Sequence, residues 1–180
     1  SLVGFVMETY TDKLKQLPYE LFDALLDSLL FGMSHHDAMV AKSSLQGLTG
    51  MLRDHLSTKS LDQHLTAHPE LLDKCIQRFL LEVVFSGAVW DRLESAGMLL
   101  LPLAAIDLQR FGVAVQALTQ RQQVPAEQQH RLTEAFQKLL QQEMVQKVTS
   151  RGYEGRQTRI KFKKMFEDFC HEIHSFLVLK

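Results

Sequence analysis

The sequence predicts an all-α protein, an α-α solenoid of about seven helices in antiparallel pairs. Pro18, Pro69 and Pro125 lie roughly fifty residues apart, and each opens a segment whose apolar residues recur at steps of three and four. Proline suits the first turn of a helix, because its fixed φ is helical and its missing N–H would have no partner. A repeat of this length holds two helices and their turns, the unit of a stacked helical array.

Period-two alternation of apolar residues is absent from the sequence, so no β-strand is predicted. The content of 46% hydrophobic and 23% charged residues is that of an ordinary globular protein, and 180 residues suffice for one core. No domain boundary is evident. We therefore expect residues 1–180 to form one continuous array.

The first half of the chain predicts three helices and a loop. The first helix covers 1–16, the second 18–33 and the third 36–57. The polar stretch Ser57–His68 carries the best loop signals in the chain. Apolar stripes support each helix. These comprise Leu2, Phe5, Val6 and Tyr10, then Leu21, Phe22, Leu25, Leu26, Leu29, Leu30 and Met33, then Val40, Leu45, Leu48, Leu52 and Leu56.

The second half predicts four more helices. A fourth helix covers 69–86, and a long segment covers 88–121, where Pro102 should kink or break the helix. Its apolar face continues through Leu108, Phe111, Val115 and Leu118. A sixth helix covers 125–149 and a seventh 156–179, separated by a turn at 150–155. We expect the second to pair with the third, the fourth with the fifth and the sixth with the seventh.

The net charge of −1 gives no reason to expect a polyanionic partner. Residues 151–180 nevertheless hold seven Lys and Arg against four Asp and Glu. The longest uncharged apolar run, Met98–Ile106, has nine residues and is too short to cross a bilayer. The two cysteines, Cys75 and Cys170, are too few for a disulfide framework and are expected to be buried thiols.

The basic run near the end of the chain is the candidate partner-contact site. It suits an acidic protein surface, whereas a solvated face of an amphipathic helix is the simpler alternative, since apolar residues interleave with it. Nucleic acid is disfavoured, because no aromatic residues are left over to stack on bases. The run comprises Arg151, Arg156, Arg159, Lys161, Lys163 and Lys164.

Motifs for catalysis and for metal or cofactor binding are not found, and we expect a non-enzymatic protein without a cofactor or metal. Glycine-rich phosphate loops are absent. His171 and His174 lie three residues apart, where a zinc protease helix needs four. Cys170 and His174 lie four apart, but a structural zinc site needs four ligands. His35 and His36 lie at a predicted helix start, where polar residues are expected, and His55, His64 and His68 cluster around the polar loop.

The segment 21–33, followed by 45–48, resembles the paired helices near the C-terminus of nuclear exportins, and the segments 68–72 and 95–111 fit the repeats that follow. The ending, 161–180, looks like the terminal helix of the exportin-four branch and of its relative, the exportin-seven branch, and is nearer to the former.

This resemblance implies a segment of an importin-β superfamily receptor built from HEAT repeats. Such a receptor carries protein cargo from the nucleus to the cytoplasm with Ran-GTP, and it crosses the pore through contacts with Phe-Gly nucleoporins. The exportin-four branch implies a hypusine-bearing translation factor or Smad-type cargo. The Ran-binding repeats at the N-terminus of such receptors lie outside this sequence, so Ran binding is expected only of the full-length parent.

Two other classes of function remain open: a HEAT-like scaffold unrelated to transport, and a helical-bundle enzyme that uses the histidines. We expect the chain to be a segment of a longer solenoid, because its first predicted helix begins at Ser1. Apolar residues cover much of the circumference of helix 1–16. The sequence therefore predicts that the isolated segment self-associates through residues 1–16, with no membrane or nucleic acid as a partner.

Overall fold

A computed structural model of the chain describes residues 11–14, 16–86, 93–141, 145, 147 and 153–177. The secondary structure of this part is entirely helical, which confirms the all-α prediction for these residues. The helices are α1 (Thr11–Leu14), α2 (Tyr19–Met33), α3 (Ala38–Thr58), α4 (Asp62–Ala67), α5 (Glu70–Leu80, continued by a π-helical turn, Leu81–Phe85), α6 (Leu93–Ile106), α7 (Leu108–Arg121), α8 (Ala126–Leu139) and α9 (Tyr153–Phe176).

The α2–α3 hairpin forms within two residues of its predicted bounds. Pro18 precedes the first residue of α2, as predicted from its helix-compatible φ. Asp37 caps α3, because its side-chain oxygen accepts hydrogen bonds from the backbone N–H groups of Met39 (2.8 Å) and Val40 (3.3 Å). Lys59 ends α3 in the left-handed conformation, with φ of 57°.

Helix α6 lies at the centre of the core. It contacts α3 and α9 extensively and also contacts α5 and α7. Its residues are buried around nearly the whole helix, as expected for a helix covered on all sides. The predicted pairs α2–α3 and α8–α9 are in contact, and α5 packs against α7.

Of the two outcomes expected at Pro102, a kink or a break, the break does not occur. Helix α6 runs through Pro102, and the chain bends by 115° between α6 and α7 at Asp107 instead. A proline removes one backbone hydrogen bond, but burial of α6 against its neighbours outweighs that loss. Asp107 has extended backbone angles, and its side chain accepts a hydrogen bond from the N–H of Arg110 (2.9 Å), which starts α7.

The predicted loop at Ser57–His68 is also wrong in part, because it contains α4. His64 on α4 is buried and stacks on Phe22, with ring centroids 4.3 Å apart and planes within 4°. Its Nε2 lies 3.2 Å from the carbonyl oxygen of Leu14. His64 therefore occupies a core position, because its ring packs on an aromatic side chain and its ring nitrogen contacts a backbone carbonyl. The polar composition of the segment alone gives the wrong prediction here.

The predicted helix 125–149 is interrupted, since α8 ends at Leu139, where Leu140 leaves helical geometry. Helix α9 begins at Tyr153, before the predicted start at 156. With the split of 88–121 and the addition of α4, the described residues form more helices than the seven predicted. Most of the predicted helix 1–16 lies outside the described residues, and so do its apolar positions from Leu2 to Tyr10.

Most predicted core positions are buried, including both cysteines. Phe79 and Phe169 are 1% and 4% exposed, as predicted. Leu21 and Leu108 are exceptions, at 58% and 40% exposed. Both lie in the first turns of their helices. The apolar periodicity continues into these turns, but the neighbouring helices do not cover the side chains there.

Candidate protein-binding surface

The candidate surface is carried by α9, which aromatic side chains hold against the core. Phe169 packs on Phe136 of α8, with ring centroids 4.8 Å apart, and Phe136 contacts Phe111 of α7 at 5.8 Å. Phe166 packs over Gly97 of α6, where a Cβ would lie only 2.7 Å from the phenylalanine ring. Because glycine permits this close approach, the exposed side of α9 has a fixed position relative to α6.

The structure divides the predicted basic run into two sets and leaves one member out. Arg151 lies outside the described residues. Helical spacing places Arg156, Arg159 and Lys163 on the flank of α9 beside α6, and the outer side of α9 carries Lys161 and Lys164. Arg159 and Lys163 are half-buried, and the other three side chains are exposed.

Lys163 forms an ion pair across the α6–α9 contact. Its Nζ lies 3.2 Å from a carboxylate oxygen of Glu94, and both side chains are substantially exposed. A pair of this kind contributes about 1 kcal/mol or less to stability. Lys163 therefore already has an anionic partner within the chain, which leaves less of its charge available to another protein.

Arg53 of α3 is the surface residue that sequence reasoning missed. It lines one small cleft together with Arg159, Phe162 and, from α6, Gly97, Met98, Leu101 and Pro102. Burial lowers the pKa of the Arg53 guanidinium, and the nearby charge of Arg159 lowers it further. No local pattern in α3 signals this pairing, because it depends on α3 and α9 both packing against α6.

Cys170 and His174, considered above as metal ligands, do not form a larger ligand group. Cys170 is fully buried, and burial raises the pKa of its thiol to about 12, which keeps it in the neutral form that binds metals poorly. Within the described residues, no group of three or more His, Cys, Asp and Glu side chains is placed to hold a metal ion. The expectation of no metal site stays a prediction.

The remaining histidines of interest take part in local packing. His35 accepts a hydrogen bond at Nδ1 from the Asp37 N–H (3.0 Å), and its ring stacks on His36 at 4.2 Å. His68 stacks on Tyr19 at 3.6 Å, and its Nδ1 lies 3.1 Å from a Glu70 carboxylate oxygen. These contacts explain the histidines as parts of turns and helix starts.

An open apolar groove of about 250 Å³ lies between α7 and α8. Its lining holds no titratable side chain, so it can receive apolar groups but cannot perform acid–base chemistry. The lining residues are Leu108, Phe111, Gly112, Val115, Gln116, Thr133, Phe136, Gln137 and Leu140.

No single helix in the described part of the chain is long and apolar enough to span a membrane. By length and composition alone, α6 and α7 pass that test only as a pair, across their 115° bend.

No protein-family model matches the sequence, and no solved structure matches the fold at a significant level. The likeness to exportins is therefore carried by the sequence segments alone, and the family remains a proposal.

Proposed function

We propose that this chain is a protein-binding segment of a nuclear export receptor, a HEAT-repeat solenoid of the importin-β superfamily. One observation carries the proposal. The segments that resemble exportins coincide with α2, α3, the start of α5, the α6–α7 pair and α9, and these helices pack around one core. A resemblance that falls on the mutually packed helices is what a shared repeat architecture would produce.

The proposed partners follow from the exportin resemblance. Through its full-length parent, the segment would act with Ran-GTP and Phe-Gly nucleoporins on protein cargo, such as a hypusine-bearing translation factor or a Smad protein. The parent would shuttle between nucleus and cytoplasm. No cofactor, membrane or nucleic acid enters the proposal.

A non-catalytic role is supported by the surfaces described above. The α7–α8 groove offers no titratable side chain. The buried histidines, His55 and His64, contact backbone groups and a phenylalanine ring within the core. Side chains used in this way stabilise the fold and are not exposed to a substrate.

A HEAT-like scaffold unrelated to transport is the second candidate. The contacts of α6 with α3 on one side and α9 on the other fit it as well as they fit a receptor, because the middle unit of a stacked array contacts the units on both sides. Such a compact helical module would bind other proteins without responding to Ran.

The experiment that separates these candidates is a pull-down with the full-length parent protein. The immobilised parent is incubated with a purified hypusinated translation factor or Smad protein, together with Ran-GTP, with Ran-GDP or with no Ran. We expect cargo retention to require Ran-GTP and to be lost after GTP hydrolysis. Retention that is equal under all three conditions would support the scaffold, and loss of cargo binding in every condition would contradict the export function.

A further inference from the structure

The cleft between α3, α6 and α9 brings together two cationic side chains that are distant in sequence. Arg53 of α3 and Arg159 of α9 line it together with residues of α6, and because the lining surface is apolar, the aliphatic stems of the arginines face the cleft and their guanidinium groups lie outside it. Arg53 is exposed and Arg159 is half-buried. The enclosed volume is about 10 Å³, which is roughly the room for one water molecule. We call this feature, with Arg53 and Arg159 as its walls, the arginine cleft.

The charge of the arginine cleft is not balanced within the described part of the chain. No described carboxylate lies within ion-pair distance of Arg53 or Arg159, and the nearby Glu94 pairs with Lys163 at 3.2 Å. The pKa of Arg53 is lowered by burial and by Arg159, which indicates repulsion between the two guanidinium groups. Both nevertheless remain charged at neutral pH, because arginine does not lose its proton in proteins. An anion placed between them would remove this repulsion.

The surroundings of the cleft are apolar. Its floor is formed by Met98, Leu101 and Phe162. On the exposed side of α9, Ile160 follows Arg159 and is 55% exposed, and Arg156 extends the positive charge by one turn. A ligand that matches this face carries both negative charge and apolar groups.

We propose that the surface beside the arginine cleft binds an acidic segment of a partner protein, with a carboxylate between the guanidinium groups of Arg53 and Arg159, outside the cleft, and an apolar side chain against Ile160. Guanidinium groups bind carboxylates through paired hydrogen bonds of fixed geometry. Nucleic acid matches the face less well, since phosphates offer nothing to the apolar surface and Ile160, the large exposed apolar side chain among the described residues of this face, has no aromatic ring to stack on a base. This inference deepens the proposed function by locating one protein-binding face. It rests on the proposed function only in taking the chain to be a protein-binding segment.

The test measures peptide binding directly. A fluorescein-labelled peptide of Glu-Glu-Leu repeats is titrated with the 180-residue chain, and fluorescence anisotropy gives the Kd. We expect saturable binding that weakens as salt is raised. Arg53→Gln and Arg159→Gln should each weaken binding about tenfold, as expected for the loss of one charge-assisted contact. The matched control Arg121→Gln removes an exposed arginine at the end of α7 and should leave the Kd unchanged.

Thermal unfolding followed by circular dichroism shows whether each variant is folded, so that a change in Kd can be assigned to the lost contact. Because each substitution removes one of two like charges, Arg53→Gln and Arg159→Gln should unfold at the parent temperature or slightly above it. If either variant unfolds well below the parent, Arg53→Lys and Arg159→Lys replace the Gln variants in the binding titration. The Lys variants keep the charge but lose the paired geometry, and they should also weaken binding.

Several results would overturn the proposal. These are an unchanged Kd for both cleft variants, an equal loss in Arg121→Gln, equal binding of a Gln-Gln-Leu peptide, or no saturable binding. Displacement of the peptide by equimolar inorganic phosphate would reassign the cleft to simple anions, and tighter binding of a single-stranded RNA oligonucleotide would reassign it to nucleic acid. None of these measurements uses Ran or cargo, so a failed pull-down with the full-length parent would refute the export function without deciding the peptide result.

Discussion

His55 illustrates how this helical core accommodates a polar side chain. The residue is buried at the end of α3, where its Nδ1 accepts a hydrogen bond from the Leu61 N–H (3.3 Å). Its Nε2 lies 3.9 Å from a carboxylate oxygen of Asp62. The side chain thus joins α3 to the start of α4, provided that the imidazole is neutral and Nδ1 can accept.

Stability should fall as the pH is lowered below neutrality, and His55 should contribute to that fall. Burial lowers the pKa of His55 below its ordinary value of 6.5, and Lys59 lowers it further, whereas Asp62 and Asp54 act in the opposite direction. Because the unfolded chain then takes up a proton more readily than the folded chain, the free energy of unfolding is fully retained above pH 6.5 and decreases as the pH drops through that value.

Urea denaturation at pH 7.5, 6.5 and 5.5 measures this effect. His55→Asn keeps an acceptor at this position and should reduce the pH dependence. The control His130→Asn removes an exposed histidine of α8, so that the effect of His55→Asn can be compared with the loss of a histidine at the surface. Identical pH profiles for the parent and His55→Asn would contradict the assignment.

Phe79 and Phe169 test the positions assigned to the core. Truncation of either to Ala should lower the free energy of unfolding by about 3–5 kcal/mol, because a cavity remains where the ring was packed. Ile160→Ala, at an exposed position, should change it by about 0.5 kcal/mol or less. Chemical denaturation gives all three values, and a loss under about 1 kcal/mol for either phenylalanine would show that its neighbours refill the space.

At the scale of the helix, two glycines give opposite predictions for the same substitution. Gly97 on α6 faces Phe166, and an added Cβ would lie 2.7 Å from that buried ring. Gly97→Ala should therefore destabilise the protein by about 1–3 kcal/mol through overpacking. Gly112 on α7 has open space around its Cα, so Gly112→Ala should stabilise by about 0.5–1 kcal/mol through helix propensity alone. The difference is read from thermal or urea unfolding of the two variants, and a stabilised Gly97→Ala would mean that α9 moves freely over α6.

Helix boundaries followed from the sequence where local chemistry decides them. Pro18 marks the start of α2 as predicted, and the Asp37 cap, seen in the structure, starts α3 close to the predicted position 36. The continuous helix through Pro102 could not be predicted from the sequence, because proline usually breaks a helix and the burial of α6 on all sides is known only from the structure. Asp107, which caps α7, carries a capping signal that the proline five residues earlier obscured.

Only part of the candidate surface could be predicted from the sequence, for a similar reason. Arg156, Arg159, Lys161, Lys163 and Lys164 stand out because they are close in sequence on one amphipathic helix. Arg53 does not stand out, since its relation to Arg159 arises only when α3 and α9 pack against the same helix. Pairings across more than a hundred residues are set by tertiary packing, which periodicity and spacing do not encode.

For the whole molecule, the central position of α6 determines how the chain should unfold. In an extended solenoid each repeat contacts only its neighbours, so a local defect can unfold one end first. Here α6 contacts α3, α5, α7 and α9, so loss of either end uncovers the same buried helix. We therefore expect the described core to unfold in one cooperative transition.

Paired truncations near the two ends test this cooperativity. Phe22→Ala on α2 and Phe169→Ala on α9 each remove a buried ring and should each shift the whole circular-dichroism transition in urea, with the slope unchanged. Hydrogen exchange followed by mass spectrometry should show slowly exchanging amides in α6 becoming faster to the same extent in both variants, because those amides exchange only on global opening. A biphasic transition in Phe169→Ala, with α9 exchanging early while α2 and α3 stay protected, would instead indicate independently unfolding repeats.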